Sequence, residues 1–487
     1  MSAMPYHERT KHRLDRYARG PETLDWSMQP DPFREFSGAK RILLPLVNSC
    51  AGAPSHDSIG TLLRLSMAIS AWKEYGPDKW AVRCNPSSGN LHPTESYVIS
   101  LGIPGVEDGL YHYGVRDHCL ELRCGISWEG KKRLFVGLSS IHWREAWKYG
   151  ERAFRYCQLD AGHALGALAY AASTLGWRID LIDAPPDILG TERKEDFGNA
   201  EHEEFELVAE IDFGEGTGEF PLLGMGEWAG RANLLDPHPM YAWPAIDEAA
   251  VLTRRQGSLP ASRKGEAAKA SLDMANILLQ RRSAQQFDPS HIMKRETFMG
   301  MVEALSTEHA LPWGLWGFEP QVHPVFFVHQ VESLAPGLYV LPRNEGSIDA
   351  LKKSMKHDFL WEKNGPLFLL ARADCRKIAR IVSCHQAIAS NSCFSLGMLA
   401  EFGNVVSHDA WRYRQLHWEA GLIGHVLYLE AEKAGLRGTG IGCFFDDAFH
   451  ELLGITTDAF QSIYHFTVGM PVTDTRIATL PPYPERN

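Results

Sequence analysis

The sequence predicts an α+β protein built from two copies of one unit. Three observations carry that expectation: an internal repeat, two long segments rich in Ala and Leu that end at Gly, and short β-branched or aromatic runs fenced by Pro and Gly. In the first half Arg155-Tyr156-x-Gln158-Leu159 runs into Asp160-Ala161-Gly162, with Gly176 fourteen residues further on. In the second half Arg412-Tyr413-x-Gln415-Leu416 runs into Glu419-Ala420-Gly421, with Gly435 again fourteen residues on. Upstream, Asn90-Leu91-His92-Pro93, Tyr97-Val98-Ile99 and Gly109-Leu110-Tyr111 are echoed in order by Gln321-Val322-His323-Pro324, Phe326-Phe327-Val328 and Gly337-Leu338-Tyr339. Several short motifs rarely agree in order by chance, so the two copies span about 1–236 and 271–487.

Each element follows from local chemistry. His163 to Thr174 and Gly421 to Ala434 read as central buried helices, stopped by Gly176 and Gly435. Tyr97–Leu101 and Val325–Val328 read as strands. Residues 237–270 carry Pro237, Pro239, Pro244 and Pro260 among Ser, Gly and Arg, the composition of a spanning connection. The chain thereby divides into an N-terminal extension (1–58), a first unit (59–236), a linker (237–270) and a second unit (271–487).

Composition narrows the function. At 487 residues the chain is long enough for two to four domains at roughly 150 residues each. With 44% hydrophobic and 22% charged residues it matches folded globular proteins. Lys+Arg 49 against Asp+Glu 60 gives a formal charge of -11, which repels nucleic-acid phosphates and anionic lipid. The start, Met1-Ser2-Ala3-Met4-Pro5, has no apolar signal core, and no run nears a membrane span, so a cytoplasmic location is expected. Nine scattered cysteines from Cys50 to Cys443 without a Cys-x-x-Cys pair read as reduced thiols. Cys375, Cys384 and Cys393 recur every nine residues beside His385, but the spacing is not that of a zinc site, and no metal is expected.

Three loops carry the chemistry. Arg281-Arg282-Ser283 can grip a phosphate by charge-assisted hydrogen bonds. In Arg83-Cys84-Asn85-Pro86-Ser87-Ser88-Gly89-Asn90-Leu91-His92-Pro93, Gly89 lets the main chain approach a flat ligand, while Ser87, Ser88 and Asn90 offer donors and acceptors. Gly435-Leu436-Arg437-Gly438-Thr439-Gly440-Ile441-Gly442 follows a helix, the wrong context for a dinucleotide fingerprint, but its glycines let backbone lie along a planar ring. Asp160 and His163, with Glu419 and His417, read as hydrogen-bond partners between the central helices. Cys384-His385-Gln386 reads as structural, because sequence neighbours rarely aim at each other.

In combination these loops resemble the FMN-dependent nitroreductase superfamily. Within it, Trp147-Lys148-Tyr149-Gly150-Glu151-Arg152 leading to Asp160-Ala161-Gly162-His163 resembles the SagB-type dehydrogenases, which include the azoline oxidases of peptide-toxin biosynthesis. The resemblance implies two tandem nitroreductase-like α/β/α domains folded as an intrachain pseudo-dimer. Members of the superfamily are typically homodimers with FMN in the interface, one subunit giving the Arg-x-Ser start and glycine segment and the other the Pro-Ser-Ser-x-Asn loop. Here it implies one FMN site between the copies. Arg281, Ser283, Gln285, Gly438, Thr439, Gly440, Ile441 and Gly442 come from the second copy, and Pro86, Ser87, Ser88 and Asn90 from the first.

Gln285 stands where the superfamily usually has a second basic residue, so Arg476 is the candidate to complete the phosphate cradle, with about 1.5–3 kcal/mol at stake. The reciprocal site keeps Arg64 and Ser66. It lacks the Ser-Ser pair, carries Glu319 and Asp180, and is expected to be empty. Lys148 and Tyr149 coincide with the acid/base pair of azoline oxidases, the ammonium favouring a phenolate.

The expected function is hydride transfer between flavin N5 and a small organic or peptide-derived substrate, with NAD(P)H the donor in a nitroreductase-like branch. The alternative is a flavin- or ligand-binding pseudoenzyme with a sensing or partner-binding role. Association into homo-oligomers stays open.

Overall fold

The computed structural model describes residues 2–46, 52–262, 272–306 and 311–486; Cys50, linker residues 263–270 and Ser271 lie outside the described residues. In the first copy six strands, β1 (Thr94–Leu101), β2 (Gly109–Gly114), β3 (Cys119–Ser127), β4 (Arg133–Ser140), β5 (Arg178–Ile182) and β6 (Glu204–Asp212), form an antiparallel sheet in the order β3-β2-β1-β4-β6-β5. The second copy repeats it with β7 (Val322–Val328), β8 (Gly337–Val340), β9 (Leu367–Arg372), β10 (Phe394–Glu401), β11 (Arg437–Ile441) and β12 (Phe460–Gly469), in the order β9-β8-β7-β10-β12-β11. The topologies correspond strand for strand. This architecture is the α+β pseudo-dimer expected from the repeat, with more strands than the short apolar runs announce.

The central helices α2 (Ala153–Thr174) and α3 (Arg412–Lys433) pack against each other across the copies. Both begin about ten residues before their apolar stretch, because the repeated Arg-Tyr-x-Gln-Leu motif is itself helical and buried. Their crossing rests on the repeated glycines. A Cβ on Gly162 would stand 2.3 Å from the Trp418 carbonyl oxygen, and one on Gly421 2.3 Å from that of Leu159, so only glycine permits this approach. Beside the crossing, Trp418 Nε1 donates to Gln158 Oε1 at 2.8 Å.

Buried ion pairs and exchanged segments lace the copies together. Arg152 and Arg155, at the start of α2, pair with Asp446 of the second copy at 2.9 and 2.8 Å, and the backbone N–H of His12 donates to the same carboxylate at 3.0 Å. Arg414 on α3 reaches Glu206 at 2.7 Å and Glu204 at 2.8 Å in β6. The C-terminal strand Ala478–Leu480 adds to the hairpin strand Ile69–Tyr75 of the first copy. The linker region is less bare than its prolines imply. Trp243-Pro244 starts a helix over Pro244–Leu252 that buries Ala245, Ile246, Ala249 and Ala250, and Arg414 donates to the Ala250 carbonyl at 2.8 Å.

Among the described residues no helix is long and apolar enough to cross a membrane, and no cluster of His, Cys, Asp and Glu could hold a metal ion.

Candidate functional site

A cavity of about 460 Å³ opens between the copies, within the range of small-ligand sites. The first copy lines it with Lys73, Pro86, Ser87, Ser88, Gly89 and Asn90, and with Tyr149 from helix α1 (His142–Tyr149). The second copy adds Arg281, Arg282, Ser283, Gln285 and Thr439 to Cys443. Most residues singled out from the motifs therefore meet in one place, although they lie nearly two hundred residues or more apart in sequence.

Each loop is shaped by its neighbours. Asp160 on α2 accepts from the Ser88 backbone N–H at 3.0 and 3.1 Å and from Ser88 Oγ at 2.9 Å. The second copy uses the same device, Glu419 on α3 accepting from Gln321 and Val322 N–H at 3.1 and 3.2 Å. Asp160 and Glu419 thus tie helix to loop rather than helix to helix, as the sequence alone implied. His163 bonds Tyr464 Oη at 2.9 Å, and His417 bonds the Tyr413 carbonyl within its own helix. Gly89 sits at φ 60°, and a Cβ there would stand 2.5 Å from Tyr149 Oη, so this left-handed glycine lets the tyrosine close on the loop. Asn90 Nδ2 donates to the Ala81 carbonyl at 2.8 Å and its Oδ1 lies 3.0 Å from His92 Nε2, so Asn90 braces the loop instead of offering free donors.

The glycine segment is the edge strand β11, not a turn. A Cβ on Gly440 would overlap Tyr464 Oη at 1.8 Å, and one on Gly442 would meet Tyr156 at 2.5 Å, so these glycines make room for aromatic rings. Gly438 lies behind the cavity wall against Phe466 and Tyr428. Ser283 Oγ lies 2.8 Å from Tyr428 Oη, which also accepts from Gly440 N–H at 2.9 Å.

Arg281 spans the copies: Nε donates to the Cys84 carbonyl and Nη2 to that of Arg83, both at 2.9 Å, while its buried Nη1 has no protein partner. Lys73, Arg282 and Arg437 line the same cavity. Burial, then Arg282 and Arg437, push the Lys73 ammonium below its ordinary pKa; burial, then Arg281, hold Arg282 down to about 10. Crowded like charges lower one another's pKa, and an anion placed among them would relieve that repulsion. Arg476 takes no part in it. It is 70% exposed, paired with Asp474 at 2.7 Å and placed over Tyr75, so the basic residue expected to complete the cradle does not line the cavity, whereas Lys73 and Arg437 do. Arg437 lies within the glycine-rich 435–442 motif, but nothing in the sequence marks Lys73, Tyr428 or Tyr464.

Tyr149 differs from expectation in its chemistry. Burial, followed by the Glu145 carboxylate and Tyr156, raises its phenol well above the ordinary value, so it stays a neutral donor rather than a phenolate. Lys148 is shifted down by burial, as expected, but stands behind Gly89, its Nζ 5.2 Å from the Tyr149 ring centre and 5.0 Å from that of Trp26.

Burial raises Asp160 to about 7, against the lowering effect of its Ser87 and Ser88 hydrogen bonds. An unfolded Asp titrates near 4, so between roughly pH 4 and 7 the folded chain holds a proton that the unfolded chain has lost. This group therefore lowers stability progressively as pH rises through that window. Asp160→Asn is expected to flatten the fall in Tm between about pH 5 and pH 8; equal falls in both proteins would refute the assignment.

The turn Trp313–Leu315 packs against β5, and Trp313, Leu315, Trp316 and Phe318 are all buried. Tyr170 Oη donates to the Leu311 carbonyl there at 3.1 Å.

Comparison with known proteins agrees with this architecture. A crystal structure from Anabaena variabilis that bears the name nitroreductase superposes with a TM-score of 0.73, covering 97% of this chain and all of that one at 21% identity. A Methanocaldococcus jannaschii protein bearing the same name, MJ1384, is 29% identical over 130 residues, 24% of this chain and 65% of that protein. The chain has the nitroreductase fold. The trifolitoxin-processing protein TfxB of Rhizobium leguminosarum is 33% identical over 111 residues, 19% of this chain and 29% of TfxB. The match thus spans less than two thirds of either relative's length. No family model matches.

Proposed function

We propose that the chain is an FMN-dependent oxidoreductase that moves hydride between flavin N5 and a small ring-containing substrate, with a peptide-derived azoline as the favoured class. The observation that carries this reading is one cavity walled by both copies and lined by the cations Lys73, Arg282 and Arg437. A flat anionic ligand answers both features. When bound, FMN supplies the hydride-accepting and hydride-donating chemistry.

The chain's own residues do the rest. Lys73, Arg282 and Arg437 hold the phosphate, while Arg281 braces the 83–88 loop. Ser283, through Tyr428 and Gly440 N–H, keeps β11 in place along the ring. Tyr149 holds a proton at Oη, and Lys148, behind Gly89 and outside the cavity lining, packs over the Tyr149 ring and positions it. The likeness to TfxB, named for processing trifolitoxin, favours the dehydrogenase branch.

Flavin released by denaturation is expected at one FMN per chain, since the reciprocal segments lack the Ser-Ser pair and carry Glu319 and Asp180. Two per chain would contradict the single site, and none would move the reading to a ligand-binding pseudoenzyme. Arg282→Ala is expected to weaken FMN binding about 10- to 100-fold, the worth of one charged hydrogen bond; unchanged affinity would remove Arg282 from the phosphate grip. The name of MJ1384 favours a second reading, reduction of a nitroaromatic or quinone. Anaerobic bleaching of the bound flavin by NADPH would support it.

A further inference from the structure

Of the eight described cysteines, six are buried; the other two, Cys384 and Cys443, meet with their sulfurs 2.7 Å apart. They lie on different elements, Cys384 in the turn after the helix Arg376–Val382 and Cys443 just past β11. Two cross-links hold these segments in register on either side of the pair: Phe445 N–H donates to the Val382 carbonyl at 2.8 Å, and Gln386 Nε2 donates to the Cys443 carbonyl at 3.0 Å. Cys384 and His385 both adopt left-handed backbone, at φ 52° and 60°, a conformation costly for non-glycine residues that persists only where the surroundings enforce it. Here it turns Cys384 toward its partner. Cys443 and Gln386 line the cavity between the copies, and among the described residues Cys443 is the one cysteine that does so.

We propose that Cys384 and Cys443 form a redox-active dithiol in the cavity wall that exchanges with low-molecular-weight disulfides. The Cys443 thiolate attacks one sulfur of a small disulfide RSSR, breaking its S–S bond, forming a mixed disulfide and releasing RS⁻. Cys384, passing its proton to that RS⁻, attacks the Cys443 sulfur and expels the second RS⁻, which takes a proton from water at neutral pH. The dithiol is oxidised to a Cys384–Cys443 disulfide, and RSSR is reduced to two thiols. Electrostatics support this direction of attack: the Cys384 thiol first, then His12 and Arg152 against the opposing effect of burial, hold Cys443 down to about 5. Neither Lys148, Tyr149 nor a bound cofactor is needed.

Full-length protein exposed to hydroxyethyl disulfide, acid-quenched and digested, is expected to yield a peptide linked through Cys384 and Cys443, with Cys375 and Cys393 still reduced. Cys384→Ser is expected to trap the mixed disulfide on Cys443. Cys443→Ser is expected to accumulate adduct on Cys384 at least tenfold more slowly. In the untreated wild type at about pH 6.5, iodoacetamide should label Cys443 roughly tenfold faster than Cys375. Absence of the linked peptide from the wild type, or equal adduct rates on the two single variants, would overturn the proposal. Because every readout is a thiol or a mass, failure of this proposal is distinguishable from failure of the FMN reading.

Discussion

Gly162→Ala is expected to lower the stability of the folded chain by about 3 kcal/mol or more, seen as a fall in the urea midpoint at unchanged slope. The added methyl would stand 2.3 Å from the Trp418 carbonyl oxygen and 2.8 Å from its Cα, both backbone atoms of the facing helix. A side chain could rotate away, but here α2 and α3 would have to separate, and with them the two copies. Gly421→Ala should cost a similar amount, since its methyl meets the Leu159 carbonyl oxygen at 2.3 Å. Gly300→Ala, exposed in the helix Arg295–Ser306 with nothing within 4 Å of the new atom, is the matched control and should stabilise by about 0.5–1 kcal/mol. If all three variants unfold at the wild-type midpoint, the close crossing does not exist in solution.

Tyr149→Phe is expected to cut turnover by about 10² to 10³-fold while leaving the flavin content unchanged, the range for loss of a positioned proton donor. The phenol lines the cavity, and burial together with Glu145 keeps it protonated through neutral pH, so what the variant removes is a neutral donor. The wild-type rate should accordingly show no rise that tracks phenolate formation below about pH 9. Lys148→Ala should leave FMN bound, because Lys148 stands outside the cavity lining, and should lower turnover less than Tyr149→Phe does. Retention of more than half the wild-type kcat by a fully flavin-loaded Tyr149→Phe protein would remove this residue from the chemistry.

The site was legible where glycine, proline and serine enforce backbone shape. The 86–90 loop, the Arg281-Arg282-Ser283 start and the 438–442 segment were all visible before any fold was known. Lys73 was not, because it belongs to a hairpin strand whose outer neighbour, Thr479, arrives from the far end of the chain. Nor were all the strands legible. His112 lies buried between Glu95 and Glu121 at 3.0 Å from each, so β1, β2 and β3 carry charged residues in their interior and show no clean alternation. The starts of α2 and α3 were hidden for the same reason: Arg155 and Arg414 are buried and bonded to other elements, which blurs an apolar stripe.

By itself, the sequence determined the doubling of the unit, the helix pair and the loops that meet at the cavity, since repeats and turn chemistry are local properties of the chain. Only the tertiary structure decided which cations face the cavity, that Tyr149 stays protonated, and that Cys384 meets Cys443. Those depend on distance and burial between segments remote in sequence, and a pKa or an ion pair exists only once the fold has removed water and brought the charges together.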